Sequence, residues 1–310
     1  MIEGIFVEGL AYGIMVLGVF ITFRILDFPD LTVDGSFPLG AAVMASALTA
    51  GWSPVIALFL AFAAGWLAGS VTALIHNKLK VPNLLAGILT MTMLWSINIR
   101  VLGGKANLPL LRQSTMISWA RGLLDGIVSP DWAVLIFFIV VAIGIKLLLD
   151  VFFVTDLGLT LGALGNNEQM VTNQGVNTET MKTIGVSLSN ALVAVSGAMV
   201  AQYQGFADVN LGQGIIIAGL ASVMIGEFLL KSNRIWVLTS RVLLGSILYR
   251  ALMYLGRYYG YYINLTPSDL KLITGLLIIG SLIVTKLRRE RSHYEKQVLQ
   301  AASDQESNNG

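Results

Sequence analysis

Long apolar stretches, repeated along the chain, constrain this sequence more than any other feature. A helix needs about 20 mostly apolar residues to cross a hydrocarbon core of about 30 Å. Residues 9–23, 37–50, 55–75, 84–102, 132–153, 183–203, 214–230, 235–255 and 270–284 reach or approach that length. The pattern predicts an all-α, polytopic transmembrane bundle of about eight to ten spans, with broken helices where polar residues interrupt the hydrophobicity. Composition agrees: 12% of residues are charged and the mean hydropathy is +0.74, whereas a soluble domain carries roughly a quarter charged residues.

Several classes of function drop out at once. The absence of cysteine and the presence of only two histidines leave no disulfide framework, thiolate metal site or cysteine nucleophile. No metal site and no bound cofactor are expected. There is no Walker A sequence, HExxH pair or nucleophile elbow. Glu168 and Glu227 have neither a nearby histidine nor a second carboxylate at useful helical spacing, so they read as interfacial charges and no catalytic residue is assigned. A net charge of +2 is too small to imply nucleic acid, and the cations sit mostly between apolar segments, where they set topology. Lipid is the expected surrounding. Met1-Ile2-Glu3-Gly4 lacks a basic residue ahead of the first apolar run and a small-residue cleavage motif, so the first helix is expected to remain as a span.

Orientation follows from the basic loops. Lys231-Ser232-Asn233-Arg234 and Lys286-Leu287-Arg288-Arg289-Glu290-Arg291 favour the cytoplasmic side. Counting backward then places 155–182 and 76–80 inside and the N-terminus outside, although Lys105, Arg112 and Arg121 become external against the rule. This divides the chain into a membrane domain, 1–285, with a cytoplasmic segment at 155–182, and a hydrophilic cytoplasmic tail, 286–310, expected to be disordered.

Two polar features interrupt the spans. Residues 27–36 carry Asp27, Asp30 and Asp34 with Pro29 and Gly35. At membrane depth they would form a broken helix, with Asp30 and Asp34 lining a polar vestibule. Alternatively, the Asp-Gly dipeptide marks an interfacial turn. Thr90, Thr92, Ser96 and Asn98 share roughly one side of a helix, which should face the bundle interior. Such a stripe can line a translocation pathway, or its hydroxyls can bond their own backbone and neighbouring helices. Asp30, Asp34, Thr90, Ser96 and Asn98 are the candidate pathway residues, and Asn190, Gln202 and Gln204 pose the same choice. Gly65 and Gly69 form a small-xxx-small spacing suited to close helix approach. A short similarity between residues 35–41 and 212–218 hints at a repeated half.

Residues 161–182 contain Gly165-Asn166-Asn167 and Gly175-Val176-Asn177, followed by Ser189-Asn190-Ala191-Leu192-Val193-Ala194-Val195-Ser196-Gly197-Ala198. In order and type these resemble the coupling segment of ABC importer permeases of the branched-chain amino acid and ribose type. Residues 26–40, Leu26-Asp27-Phe28-Pro29-Asp30-Leu31-Thr32-Val33-Asp34-Gly35-Ser36-Phe37-Pro38-Leu39-Gly40, are similar to a signature of one subgroup, some of whose members are associated with tryptophan or tyrosine uptake. The resemblance covers most of 1–285. It departs at Gln169-Met170, where an alanine pair is frequent, and at Ile225-Gly226-Glu227, where a paired glycine is common. The resemblance implies a multi-pass permease of the bacterial inner membrane that is not itself an enzyme. It would work as a homodimer or paired permease with a cytoplasmic ATP-binding subunit, which uses the ATP, and an extracytoplasmic substrate-binding protein. Gly165, Asn166, Asn167, Glu168, Gly175, Val176 and Asn177 would form the ATPase-coupling surface, with Gly175 turning the chain after a short helix. The cargo would be an amino acid or similar small polar solute. An ion-coupled secondary transporter is the main alternative. It usually needs an ionisable residue deep in the membrane, whereas Asp27, Asp30, Asp34 and Glu227 all lie near span ends in the sequence. A membrane scaffold is a further alternative.

Overall fold

The computed structural model describes residues 2–230 and 234–260, with isolated helical positions between 272 and 280. The segment 270–284 apart from those positions, the tail 286–310 and three of the four residues of 231–234 lie outside the described residues. Met1–Tyr254 forms one compact unit, and Leu255–Gly310 a second in which the end of the last described helix is the main described part.

Helix α1 (Ile2–Phe20) runs into a π-helical turn at Ile21–Ile25. After a polar segment come α2 (Val33–Thr49), α3 (Pro54–Leu79) and α4 (Asn83–Val101). A connection with strand β1 (Asn107–Pro109) and α5 (Met116–Leu123) leads to α6 (Pro130–Val154). Two short helices, α7 (Asp156–Asn166) and α8 (Glu168–Asn173), precede α9 (Thr178–Gln204). Strand β2 (Phe206–Asp208) pairs antiparallel with β1, and a 3₁₀ turn at Val209–Gly212 leads into α10 (Ile215–Leu229) and α11 (Ile235–Gly260). Seven of the described helical segments are long and apolar enough to span a membrane, and α2, with 17 residues, falls just short.

The ends of these helices follow from their local chemistry. Ser53 caps α3 ahead of Pro54 at its first position, where a missing N–H costs nothing. Thr115 and Ser118 form a reciprocal capping box on α5. Gly205, at φ +78°, closes α9 in the left-handed conformation.

Helix α9 is the centre of the bundle, buried over 89% of its most apolar stretch. It is rich in Ser, Ala and Gly because its neighbours come within backbone contact. A Cβ on Gly65 would lie 2.4 Å from the Asn190 carbonyl oxygen, and one on Gly69 2.5 Å from that of Val186. The small-xxx-small spacing of α3 is therefore its seat on α9. On the other side, Ser189 donates to the Gly18 carbonyl and Ser196 to that of Ala11, each at 2.7 Å. These contacts run α1 and α3 antiparallel to α9. Helix α6 differs. Its outward residues Val140, Leu148 and Val151 are more than 60% exposed, as expected of a surface whose solvent is lipid.

Candidate functional site

The polar segment after α1 enters the bundle. Leu26 N–H and Phe28 N–H still bond back to Ile21 and Thr22, and Asp27 takes a left-handed φ of +50° to turn the chain. The Asp30 carboxylate, 2% exposed, accepts from Thr32 N–H at 2.8 Å and from Asn190 Nδ2 at 2.6 Å. Asn190 lies near the middle of the long helix α9, so Asp30 is deep. Ser36 donates to Asn190 Oδ1, and the Thr32 and Thr72 hydroxyls pair at 2.7 Å. Asp30 and Asp34 lie at the start of α2 in the chain, as expected, but the segment is packed inside the bundle against α9 and the start of α10 rather than at its surface, the arrangement of a broken helix. Hydropathy alone cannot distinguish a polar turn at the surface from one folded back inside, where Asn190 and Thr72 solvate it.

A second break meets the first. Asp34, in the first turn of α2, accepts the Gly214 and Ile216 N–H groups, each at 2.9 Å. The side chain of one inward-starting helix thus caps the start of another, α10, whose positive dipole end favours a carboxylate. Pro38 has no N–H to give the Asp34 carbonyl one turn earlier. Gly212 packs against that carbonyl so closely that a Cβ there would stand 1.9 Å from the oxygen. The similarity between 35–41 and 212–218 falls on these two helix starts.

Between α2, α4 and the approach to α10 lies a cavity of about 320 Å³ lined by Asp34, Gly35, Pro38, Met91, Thr92, Trp95, Ser96, Asn98, Val209 and Gln213. Three candidate pathway residues, Asp34, Ser96 and Asn98, line it together. Asp30 is hydrogen-bonded beneath α2, and Thr90 is buried and bonds the Ala86 carbonyl; neither lines this cavity. Asn98 is fully buried. Its Nδ2 donates to the Gly35 carbonyl at 3.1 Å, while its Oδ1 has no partner. Asn190 is a packing residue, and Gln202 Oε1 accepts from Met116 N–H.

The other candidate surface is at the end of the bundle where α1 stops. Gly165 packs on the π-helical turn: a Cβ there would be 2.0 Å from the Ile25 carbonyl oxygen. Leu161, Leu164 and Val171 pack with Leu26, Phe28, Ala73 and Val186 in one apolar cluster that Val176 also touches. Asn167 caps α8 through Met170 N–H, Asn177 caps α9 through Thr180 N–H, and Glu168 pairs with Lys182 at 2.7 Å. Asn166 ends α7, and Gly175, at φ +82°, turns the chain after α8. Glu168, Gln169, Met170, Thr172 and Asn173 remain exposed. The α7–α8 unit is thus seated on its inner face and open on its outer one. At the same end, Glu179 holds Lys78 and Lys80, and Glu227 holds Arg24 and the buried Arg241.

One polar cluster escaped the sequence reading. In α6, Lys146 and Asp150 form a buried ion pair; Thr239 donates to Asp150, and the Lys146 ammonium lies 4.1 Å from the Trp236 ring centroid. Opposite charges four residues apart inside an apolar span were the available signal.

The sequence profile described as "Branched-chain amino acid transport system / permease component" matches residues 1–282. The chain is 41% identical over 286 residues to a "Tyrosine transport system permease protein" of Clostridioides difficile, covering 92% of each. It is 25% identical over 227 residues to a "Ribose import permease protein RbsC" of Haemophilus influenzae, covering 73% of this chain and 65% of that one. Among solved structures, "PsaBC from Streptococcus pneumoniae in complex with Fab" aligns over 89% of both chains with a TM-score of 0.53 at 17% identity, a likeness of fold.

Proposed function

Because the chain belongs to the family of permease components of branched-chain amino acid transport systems, and is therefore a multi-pass membrane subunit of an import system, we propose that its transport is driven by a separate ATP-binding subunit docked on α7–α8. The observation that carries this reading is the seat of α7. Gly165 rests on the Ile25 carbonyl at the point where α1 gives way to the inward-folded segment leading to Asp34. A push on the exposed face of α8 has a short packed route through Leu164, Val171 and Leu26 to the helix starts beside the cavity. Lys182 pairs with Glu168 on α8, and Lys78, Lys80 and Arg24 lie at the same end of the bundle in pairs with Glu179 and Glu227. Such a concentration of basic residues supports a cytoplasmic location. An extracytoplasmic binding protein delivers cargo at the opposite end, two permease subunits work together, and the cargo is an amino acid. The 41% identity to a tyrosine transport permease supports that last choice over a sugar.

The ion-coupled alternative gains from Asp30 lying inside the bundle, yet Asp30 is only 2% exposed and does not line the cavity. Gentle solubilisation of native membranes followed by mass spectrometry of what accompanies the chain tests the proposal. A stoichiometric ATP-binding protein, lost when the outer face of α8 is reversed in charge by Glu168→Arg, is the expected result. Its absence under conditions that preserve a control ABC complex would overturn it.

A further inference from the structure

We propose that the cavity between α2, α4 and the start of α10 is a subsite for the ammonium group of an amine-bearing cargo, an inference that rests on the importer reading. None of its lining residues is Lys, Arg or His. Its acceptors are the Asp34 carboxylate, Asn98 Oδ1 and the Thr92 and Ser96 hydroxyls. The amide nitrogens of Gln213 and Asn98 are spent on Asn210 and Gly35, and the Trp95 indole N–H is a donor. Asp34 contributes a carboxylate. Its oxygens receive the Gly214 and Ile216 N–H groups, with the Ile215 N–H also directed at the carboxylate; a carboxylate has about four acceptor sites, so one remains. Asn98 is the stronger pointer. Its amide cannot be turned over, because the Gly35 carbonyl requires the Nδ2 end. Oδ1 is left as a buried acceptor without a donor, a state whose desolvation cost a ligand N–H would remove. Thr92 donates its hydroxyl proton to Ile88, which leaves its oxygen free to accept.

The rest of the wall selects among donors. Trp95, half exposed, presents an aromatic ring beside Met91, Pro38 and Val209, and an indole face attracts a cation. A free carboxylate would meet Asp34 with no compensating cation on the wall, so an acid lacking the amine is disfavoured. A neutral polyol could fill the acceptors but would gain nothing from the charge of Asp34 or the Trp95 ring. At about 320 Å³ the space is near the lower limit of ordinary small-molecule sites, suited to one amino acid.

The test measures binding to the full chain in lipid nanodiscs with L-tyrosine, tyramine, the deaminated acid hydroxyphenylpropionate and ribose as probes. The two amines are expected to bind at least tenfold more tightly than the deaminated acid and ribose. Asn98→Leu is expected to weaken tyramine at least tenfold. Trp95→Ala, on an exposed face where folding is not at stake, is expected to weaken it several-fold. Equal binding of the deaminated acid and tyramine, tighter binding of ribose, no binding of any probe, or tyramine binding indifferent to Trp95→Ala would each overturn the subsite. ATP-driven uptake by the complete complex, run in parallel, separates the two claims. Uptake that persists while amine discrimination fails removes only the subsite, and uptake that does not depend on ATP removes the importer reading.

Discussion

Helices α6 and α9 are of similar length, yet the more apolar of the two is the less buried. Helix α6 has the highest mean hydropathy of the spans and is buried over 39% of its most apolar stretch, against 89% for α9. In water the order would be reversed. In lipid, apolarity gives a helix no reason to leave the surface, and association rests on close packing and on polar groups that find partners. Helix α9 has both, in its small residues and in Ser187, Ser189, Asn190 and Ser196, each hydrogen-bonded to a neighbouring helix or to the segment beneath α2. Beyond Asp131 in its first turn, helix α6 carries charge only in the Lys146–Asp150 pair, which faces inward to Thr239 and Trp236.

This contrast can be broken by substitutions whose effects should fall in a definite order. The largest is expected at the α2–α9 contact, where a Cβ on Gly40 would stand 1.9 Å from the Ala194 carbonyl oxygen. No flexible side chain is there to give way, so Gly40→Val should cost more than about 4 kcal/mol, seen as loss of a monodisperse peak in detergent chromatography. Next come the buried charges. Lys146→Met leaves Asp150 without its cation, costing about 3 kcal/mol, and Asn190→Ala takes one side-chain donor from the buried Asp30 carboxylate, costing about 2 kcal/mol. Thermal unfolding of the double variant Lys146→Met/Asp150→Leu should recover most of the loss at Lys146, since removing both partners leaves nothing uncompensated. A smaller effect, about 0.6 kcal/mol, is expected of Ser196→Ala, in line with interhelical hydrogen bonds in membranes. Leu148→Ala on the outer face of α6, 73% exposed, should stay within about 0.5 kcal/mol of the parent. A large loss there would mean that this face is covered by protein.

The same contrast separates what was legible in the sequence from what was not. Spans are announced by runs of about 20 apolar residues, so the membrane helices from α1 to α11 could be located, and the order of Gly165, Gly175 and Ser196 was enough to recognise the family. The depth of residues 27–36 was hidden, because a proline, a glycine and three carboxylates look the same in an interfacial turn and in a segment folded back against Asn190. On α4, Thr90 and Asn98 are buried as the spacing of the stripe implied, whereas Thr92 and Ser96 are exposed; which members reach the cavity depends on where α10 begins, and that is fixed by Asp34 more than 170 residues earlier. Lys146 and Asp150 were obscured by the very hydrophobicity that marks their helix as a span.

The most direct test of the central claim is tyrosine uptake into proteoliposomes holding this chain with the ATP-binding and extracytoplasmic subunits proposed for it. Uptake should require ATP inside or outside according to the side on which α7–α8 lies, and should continue when proton and sodium gradients are collapsed. Gly175→Val, straining the left-handed turn after α8, should cut transport per ATP hydrolysed without removing the chain from the membrane. Uptake that follows an imposed ion gradient and ignores ATP would contradict the account.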